Sequence, residues 1–378
     1  MLKPPFILVI GLGPAGTAAS IGLAQWGFRV LAIDRSRQPS LKIGESLAPA
    51  AQGVLQQLGV WEAFQRGAHQ TCFGNRSAWG SSAIQYHDFI RQPPGYGWHI
   101  DRPAFEQLLI EKARQLGVSI AQSTSIREAN WQQTHWEVHL KGPIPSLQQV
   151  QPTLILDASG RHSFLGRQLG IDRLYEDRQL ALVAFLAVQQ TLDDTTSLTE
   201  TGPDGWWYSA QIPGKKIASA FLCNPNSTQK KDWTTESGWW QLVQQYPHTA
   251  QRFEKAGVAL PQKPYFVAAD SSILSQLYGP GWLALGDAAM SYDPIAAHGL
   301  LMAMVSGRDA AMAIRSLQSG EPSALLNYQD QLFKAYQHYQ IQRKSLYQQE
   351  RRFPRSTYWQ KRQQLRPVFQ PTSVVEKR

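Results

Sequence analysis

Phe6-Ile-Leu-Val-Ile-Gly11-Leu-Gly13-Pro-Ala15-Gly16 joins a continuous apolar run to three glycines spaced G-x-G-x-x-G. The run predicts a buried strand over residues 6–10, and the residues after it predict a helix from about Pro14 to Trp26, stopped by Gly27. A second strand, Arg29 to Ile33, ends at Asp34. Strand, helix, strand is a β-α-β unit, which forces a parallel pair with a right-handed crossover and sets the connecting loop at the carboxyl edge of the sheet. Gly11 permits the tight turn, Gly13 lets backbone approach a pyrophosphate, and Gly16 lets helix meet strand. The helix N-terminus offers unpaired N–H groups and a positive dipole. Asp34, 18 residues after Gly16, would accept hydrogen bonds from an adenosine ribose. Together these features predict dinucleotide binding, and the loop alone does not choose between FAD and NAD.

The rest of the chain reads outward from that unit. Leu47 to Leu58 is expected as a helix, Phe73 to Ile90 alternates as strand, and Pro103 to Leu116 is an amphipathic helix closed by Gly117. Leu154-Ile-Leu156 and Trp282-Leu-Ala-Leu285 are short buried strands ended by Asp157-Ala-Ser-Gly160 and by Gly286-Asp287. Between Leu180 and Asn224, alternating segments with turns at Gly202-Pro-Asp-Gly205 and Pro213-Gly214 predict an inserted antiparallel sheet, the candidate substrate layer. Gly299 opens a helix to about Leu317, and from Ser323 onward a Gln- and Tyr-rich helix runs until Pro354 ends it.

The chain has 378 residues, 43% hydrophobic and 17% charged, enough apolar material for a nucleotide-binding core and a subordinate layer. The formal charge is +9, and Arg351 to Arg378 hold eight basic residues against Glu376 alone. Such a run is expected as a solvated surface, so no nucleic-acid function is inferred. Cys72 and Cys223 are the only cysteines and no metal-ligand spacing is present, which predicts no metal site and a reducing, cytoplasmic setting. The apolar start is too short for a signal core or a membrane span, so the mature chain is expected to begin near Met1 with no transmembrane segment.

Gly44-Glu-Ser-Leu-Ala-Pro49, Gly97-Trp-His-Ile-Asp-Arg102, Asp157-Ala-Ser-Gly160, Gly205-Trp-Trp-Tyr-Ser-Ala-Gln-Ile-Pro213 and Gly286-Asp-Ala-Ala-Met-Ser-Tyr-Asp-Pro294 together resemble the flavin-dependent halogenases and monooxygenases with the hydroxybenzoate-hydroxylase fold. The resemblance spans nearly the whole chain. It implies an α/β fold: an FAD-binding Rossmann-like domain of the glutathione-reductase type (1–75, 100–170 and 265–322), an inserted antiparallel β-sheet substrate domain (76–99 and 171–264) and a C-terminal helical region with a basic tail (323–378). Asp287 would then bind the ribityl chain, and the Gly299 helix would face the pyrimidine side of the flavin, where its dipole stabilises the reduced state. Glu45 and Ser46 are expected near the isoalloxazine and Arg102 at the ribityl or pyrophosphate portion. Ala15, Arg35, Asp157, Gly160, Gly286, Pro294 and Leu300 complete the cofactor contacts so implied.

Tryptophan halogenases carry a lysine shortly after the Gly-Glu-Ser segment. The matching stretch Gln70-Thr-Cys-Phe-Gly-Asn-Arg-Ser-Ala-Trp-Gly80 has none, and the Glu and Ser-Thr pair of halogenases is replaced by Ala296, Ala297 and His298. Ser77-Ala-Trp-Gly80, Asp88-Phe-Ile90, Gly95-Tyr-Gly-Trp-His99, Tyr292-Asp-Pro294 and Glu350-Arg-Arg-Phe-Pro354 are closer to the monooxygenases that mature tryptophylquinone-containing oxidases, although His298 stands where those have Gln. That branch implies hydroxylation of an aromatic substrate through a flavin C4a-hydroperoxide. It uses O2 and electrons from NAD(P)H or a separate flavin reductase, and its substrate is a quinoprotein oxidase precursor or a small aromatic molecule. Trp79, Trp98, Trp206, Trp207 and Tyr208 are the candidate substrate walls, and His298, His99 and Asp88 the candidate acids and bases. Halogenation, prenyl reduction and a non-catalytic assembly role are the competing expectations.

Overall fold

Residues 5–260 and 263–365 are described by the computed structural model. Phe6–Ile10 is an inner strand of a six-stranded sheet ordered Tyr278–Gly279, Trp282–Ala284, Leu154–Asp157, Phe6–Ile10, Arg29–Ile33, Ser119–Ala121. Its neighbours on both sides run parallel to it, with Ile10 opposite Ile33 and Asp157. Ile7, Leu8 and Val9 are fully buried, which is why this strand is apolar without alternation. The β-α-β expectation holds, with the helix at Pro14–Gln25.

That helix lies against Gly299–Gln318. A Cβ on Gly307 would meet the Ala15 carbonyl oxygen at 2.2 Å, and one on Gly22 would meet the Ala311 Cβ at 2.9 Å. Glycine at 307 lets backbone touch backbone, and glycine at 22 makes room for the Ala311 methyl.

The inserted layer is an eight-stranded sheet, ordered Val258–Ala259, Leu180–Val188, Lys216–Cys223, Gly205–Ile212, Ser197–Gly202, Gly74–Ala78, Gln85–Asp88, with Tyr265–Ala268 also pairing Leu180–Val188. One face is covered by the helices Glu236–Val243 and Pro247–Ala256, with Trp207, Phe221, Trp239 and Phe253 packed between. The other holds Trp206, Leu222 and Ala181 beneath Trp79, Tyr347, Tyr358 and Trp359.

Several expectations change. The sheet is not wholly antiparallel: Ser197–Gly202 pairs parallel with Gly74–Ala78, because a strand from the N-terminal segment enters it. Gly97–His99 leaves that sheet and pairs with Ser46–Leu47 and Gln70–Cys72. Tyr265–Ala268 joins it, so the boundary expected at 265 falls inside the sheet. The helix expected from Leu47 begins only at Ala51, since Ser46 and Leu47 are taken by strand pairing.

The C-terminal region is a long helix, Ala324–Gln349, and a short one, Thr357–Gln363. In the described part of the basic run Arg351, Arg355 and Lys361 are exposed, as expected, while Arg352 and Arg362 are drawn into ion pairs. Arg362 is fully buried, 2.8 Å from Asp177 and stacked on Tyr358, and Arg352 pairs with buried Glu350 at 2.6 Å. Arg366, Lys377 and Arg378 lie outside the described residues. No helix among the described residues is long and apolar enough to cross a membrane.

Trp359 is buried, donates from its indole N–H to the Gly202 carbonyl at 2.8 Å and meets Trp79 edge to face. Truncation of a large buried aromatic costs about 3–5 kcal/mol. Trp359→Ala should therefore lower the unfolding free energy by about that amount in chemical denaturation, whereas a merely appended C-terminus would leave it unchanged.

Candidate active site

A cavity of about 410 Å³ opens between the carboxyl edge of the six-stranded sheet and the inner face of the eight-stranded one. At one end it is lined by Gly13, Pro14 and Ala15, the start of the first helix, and by Ala158, Gly160 and Arg161 from the neighbouring strand end. Asp287, Gly299 and Leu300 line it further along, so both helix N-termini reach one space. Neither helix has an acidic residue in its first turn or a side chain capping it, which leaves N–H groups and dipole for an anionic or electron-rich ligand.

The glycine loop is shaped for a cofactor. Gly11 sits at φ +104°, and a Cβ there would lie 2.3 Å from the Ala158 carbonyl oxygen; one on Gly16 would lie 2.0 Å from the Gly11 oxygen. A Cβ on Gly13 meets nothing within 4 Å. Gly11 and Gly16 are therefore needed by the protein itself, and Gly13 leaves room beside the cavity. Asp34 accepts from the Leu12 N–H at 2.9 Å and the Ser36 N–H at 2.7 Å, which fixes the loop and leaves further lone pairs on each oxygen. Arg35 beside it is exposed.

Asp287 caps no helix. Its carboxylate is partly exposed to the cavity, 3.6 Å from the Arg161 Nε, and Arg161 is held by the carbonyls of Asp270 at 2.7 Å and Tyr292 at 3.1 Å. Arg102 makes a helix-start salt bridge to Glu106 at 2.8 Å, donates to the Gly44 carbonyl and lines the cavity as well. Pro294 also lines it. Asp157 does not reach it: it is buried, and both its oxygens accept backbone N–H groups, of Ser159 and Leu165. Gly286 is buried behind the cavity and donates its N–H to Ser306.

The sheet wall consists of Ala181, Ala220, Leu222, Val267, Ala268 and Ala269, with Tyr208 its one polar side chain. Tyr208 donates to Glu45 Oε1 at 2.5 Å and lies 2.6 Å from Ser46 Oγ. Glu45 is buried, and this pushes its carboxyl above the ordinary range against the hydrogen bonds and the Arg102 charge that favour ionisation.

The other expected aromatics stand elsewhere. Strand alternation turns Trp206 and Tyr208 to one face and Trp207 to the other, where Trp207 packs on Phe221 and Trp239. Trp206 and Trp79 are on the inner face but buried under Tyr347 and Trp359, and Trp98 packs among Trp61, Phe64 and Tyr96. None of the four lines the cavity. The three expected acids and bases are not brought together either. His99 is buried with both ring nitrogens unpartnered, and burial lowers its pKa to about 4, which keeps the imidazole neutral. Asp88 is exposed on the edge strand Gln85–Asp88. His298 occupies the N-cap position of the Gly299 helix without capping it and is exposed. Arg161, Lys42 and Asp293 line the cavity and were not anticipated. Asp293 stood inside the Gly286–Pro294 and Tyr292-Asp-Pro294 motifs, which were its signals in the sequence.

Gly13→Val should abolish FAD retention at micromolar supply while leaving the melting temperature nearly unchanged, since its Cβ enters open space. Gly16→Val should lose folded protein as well. Equal FAD retention by wild type and Gly13→Val, read by flavin fluorescence, would remove the cofactor from this end of the cavity.

Residues 6–338 match the family described as FAD binding domain. LodB of Marinomonas mediterranea, a putative FAD-dependent oxidoreductase, is 27% identical over 357 residues, 94% of this chain and 96% of that protein. The tryptophan 2-halogenase of Chondromyces crocatus is 25% identical over 328 residues, 83% of this chain and 62% of that one. Among solved structures, the flavin-dependent halogenase CmlS has a TM-score of 0.85 at 21% identity, covering 97% of this chain and 69% of its own. QhpG, a peptidyl tryptophan dihydroxylase essential for tryptophylquinone cofactor biogenesis, has a TM-score of 0.75 at 20% identity, covering 95% and 77%. The chain therefore belongs to the FAD-binding domain family, as an FAD-dependent enzyme with the fold of the flavin-dependent halogenases.

Proposed function

We propose that this chain is an FAD-dependent monooxygenase that hydroxylates an aromatic ring, with a tryptophan side chain of a partner polypeptide as the substrate. The observation that carries the reading is the sheet wall: small apolar side chains with one phenol among them, facing the start of the Gly299 helix across a single cavity. A slot of that kind suits a flat ring with a polar edge. The absence of lysine from Gln70–Gly80 favours oxygen transfer over halogenation, and the shared fold with a peptidyl tryptophan dihydroxylase supports a protein-borne ring.

Gly13 and the first helix turn would hold the diphosphate, with Asp34 toward the adenosine end. Asp287, with Arg161 beside it, would hold the ribityl chain, and Arg102 would balance phosphate charge. Gly299 and Leu300 present a helix N-terminus whose dipole favours negative charge on the redox ring. FAD so bound would supply the activation of O2, with electrons from NAD(P)H or a separate flavin reductase. The apolar wall keeps water from the reacting centre and orients the ring.

Under 18O2, with reduced FAD regenerated, a tryptophan-containing peptide should gain oxygen from the gas, seen by mass spectrometry. A product carrying bromine or chlorine only when that halide is present would replace this reading by halogenation, and product formed without O2 would end both. Removing a hydrogen-bonding charge costs about 1.5–3 kcal/mol, so Asp287→Ala should weaken FAD binding by roughly 10- to 150-fold.

A further inference from the structure

We propose that Tyr208 and Glu45 are the proton-transfer pair of this site, Tyr208 touching the substrate ring and Glu45 taking the proton behind it. The assignment rests on the monooxygenase reading. When the ring carbon gains oxygen, one atom of O2 enters the new C–O bond and the other leaves as water, with two electrons and two protons from the reductant. That carbon then holds both hydrogen and oxygen. Its C–H bond breaks, the electron pair returns to the ring, and the proton needs an acceptor at the cavity wall.

The geometry supplies one. The Tyr208 hydroxyl donates to Glu45 Oε1 at 2.5 Å and is within 2.6 Å of Ser46 Oγ, which can donate to it. With its O–H given to Glu45, the Tyr208 oxygen keeps its acceptor capacity, shared between Ser46 Oγ and the cavity that Tyr208 lines. Tyr208 receives the ring proton there as its own proton passes to Glu45, which ends as a carboxylic acid. Tyr208 cannot do this alone. Burial, and then the Glu45 carboxylate, push its pKa well above the ordinary phenol range, so it does not ionise without a partner to receive its proton. Glu45 is suited to that part because burial lifts its carboxyl toward protonation, while the Gly44 N–H at 2.9 Å on Oε2 keeps the ionised form accessible. Among the described residues the charged and titratable groups acting on the pair are Arg102 from the helix Arg102–Gln115, itself tied to Glu106 and through it to Lys42, and, at Tyr208, the Cys72 thiol and Arg252.

The sign of the pH dependence follows. Glu45 must be ionised to accept a proton, so kcat falls as pH drops through its raised pKa, an acid limb above the ordinary glutamate range. The test uses the full chain loaded with FAD, an added flavin reductase with NADH, and a synthetic tryptophan-containing peptide. Glu45→Gln keeps an acceptor for the Tyr208 hydroxyl but takes up no proton. It and Tyr208→Phe should each lower kcat by about 100-fold or more, with KM and FAD affinity within about threefold of wild type. The acid limb should vanish in Glu45→Gln and return, shifted, in Glu45→Asp. Near-wild-type kcat in Glu45→Gln, or a loss of FAD affinity that accounts for the lost turnover, overturns the assignment.

If wild type yields no oxygenated peptide, the monooxygenase reading fails separately. The pair is then judged by infrared titration of the FAD-loaded protein. A carboxyl band that titrates above the ordinary range, is missing in Glu45→Gln and is shifted in Tyr208→Phe upholds the coupling of the two groups, though not the acceptance of a ring proton. The absence of such a band overturns the assignment.

Discussion

Two helices touch backbone to backbone where Gly307 meets the Ala15 carbonyl, and the rest of the site depends on that contact. A Cβ at Gly307 would close to 2.2 Å of that oxygen, so a larger residue would have to push the helices apart. The first helix begins at Pro14 beside the glycine loop, and the second begins at Gly299 after the Asp287 strand end. Held together, they bring both N-termini to one cavity. Two dipoles directed at one cavity are an electrostatic arrangement that neither helix makes alone.

The part of the fold written in local spacing was legible in the sequence. Phe6–Ile10, its glycines and Asp34 make one short-range pattern whose geometry has few solutions, and the Gly299 helix announced itself by an acid at a strand end followed by a long apolar run. The sheet wall was not legible in the same way. Alternation says that Trp206 and Trp207 face opposite sides, but both sides are buried here, one under tryptophan and phenylalanine helices and the other under the C-terminal segment. Hydrophobicity therefore gives no sign of which face meets the cavity. Tyr208 is the exception because its hydroxyl needs partners, and they stand some 160 positions earlier, at Glu45 and Ser46.

In the basic C-terminus Arg351, Arg355 and Lys361 are exposed, and Arg362 is the buried exception, for the same reason. A charge run looks solvated when its counter-charges are remote in sequence, and Asp177, which receives Arg362, is far from it. Asp157 misleads in the opposite direction: its motif resembles a ligand-binding turn, yet its carboxylate is fully buried against the backbone N–H groups that shape that turn. Ala158, Gly160 and Arg161, just after it, are what reach the cavity.

Arg343 shows why that remote charge matters to the cavity. It lies 2.7 Å from Asp177 and 2.9 Å from Asp293, with Glu176 at 3.7 Å, and all four side chains are buried. Burial pushes the Glu176 carboxyl up, and the short contacts of Arg343 and Arg362 are made to Asp177 and Asp293. Apolar side chains of equal volume would stabilise such an interior at least as well. What they would lack is direction. Asp293 lines the cavity, accepts from the Tyr347 hydroxyl at 2.8 Å and caps the turn that leads to Gly299. One guanidinium bonds both carboxylates, its Nε to Asp293 and its Nη2 to Asp177, so the helix Ala324–Gln349 anchors the turn and, with it, the tip of the Gly299 helix.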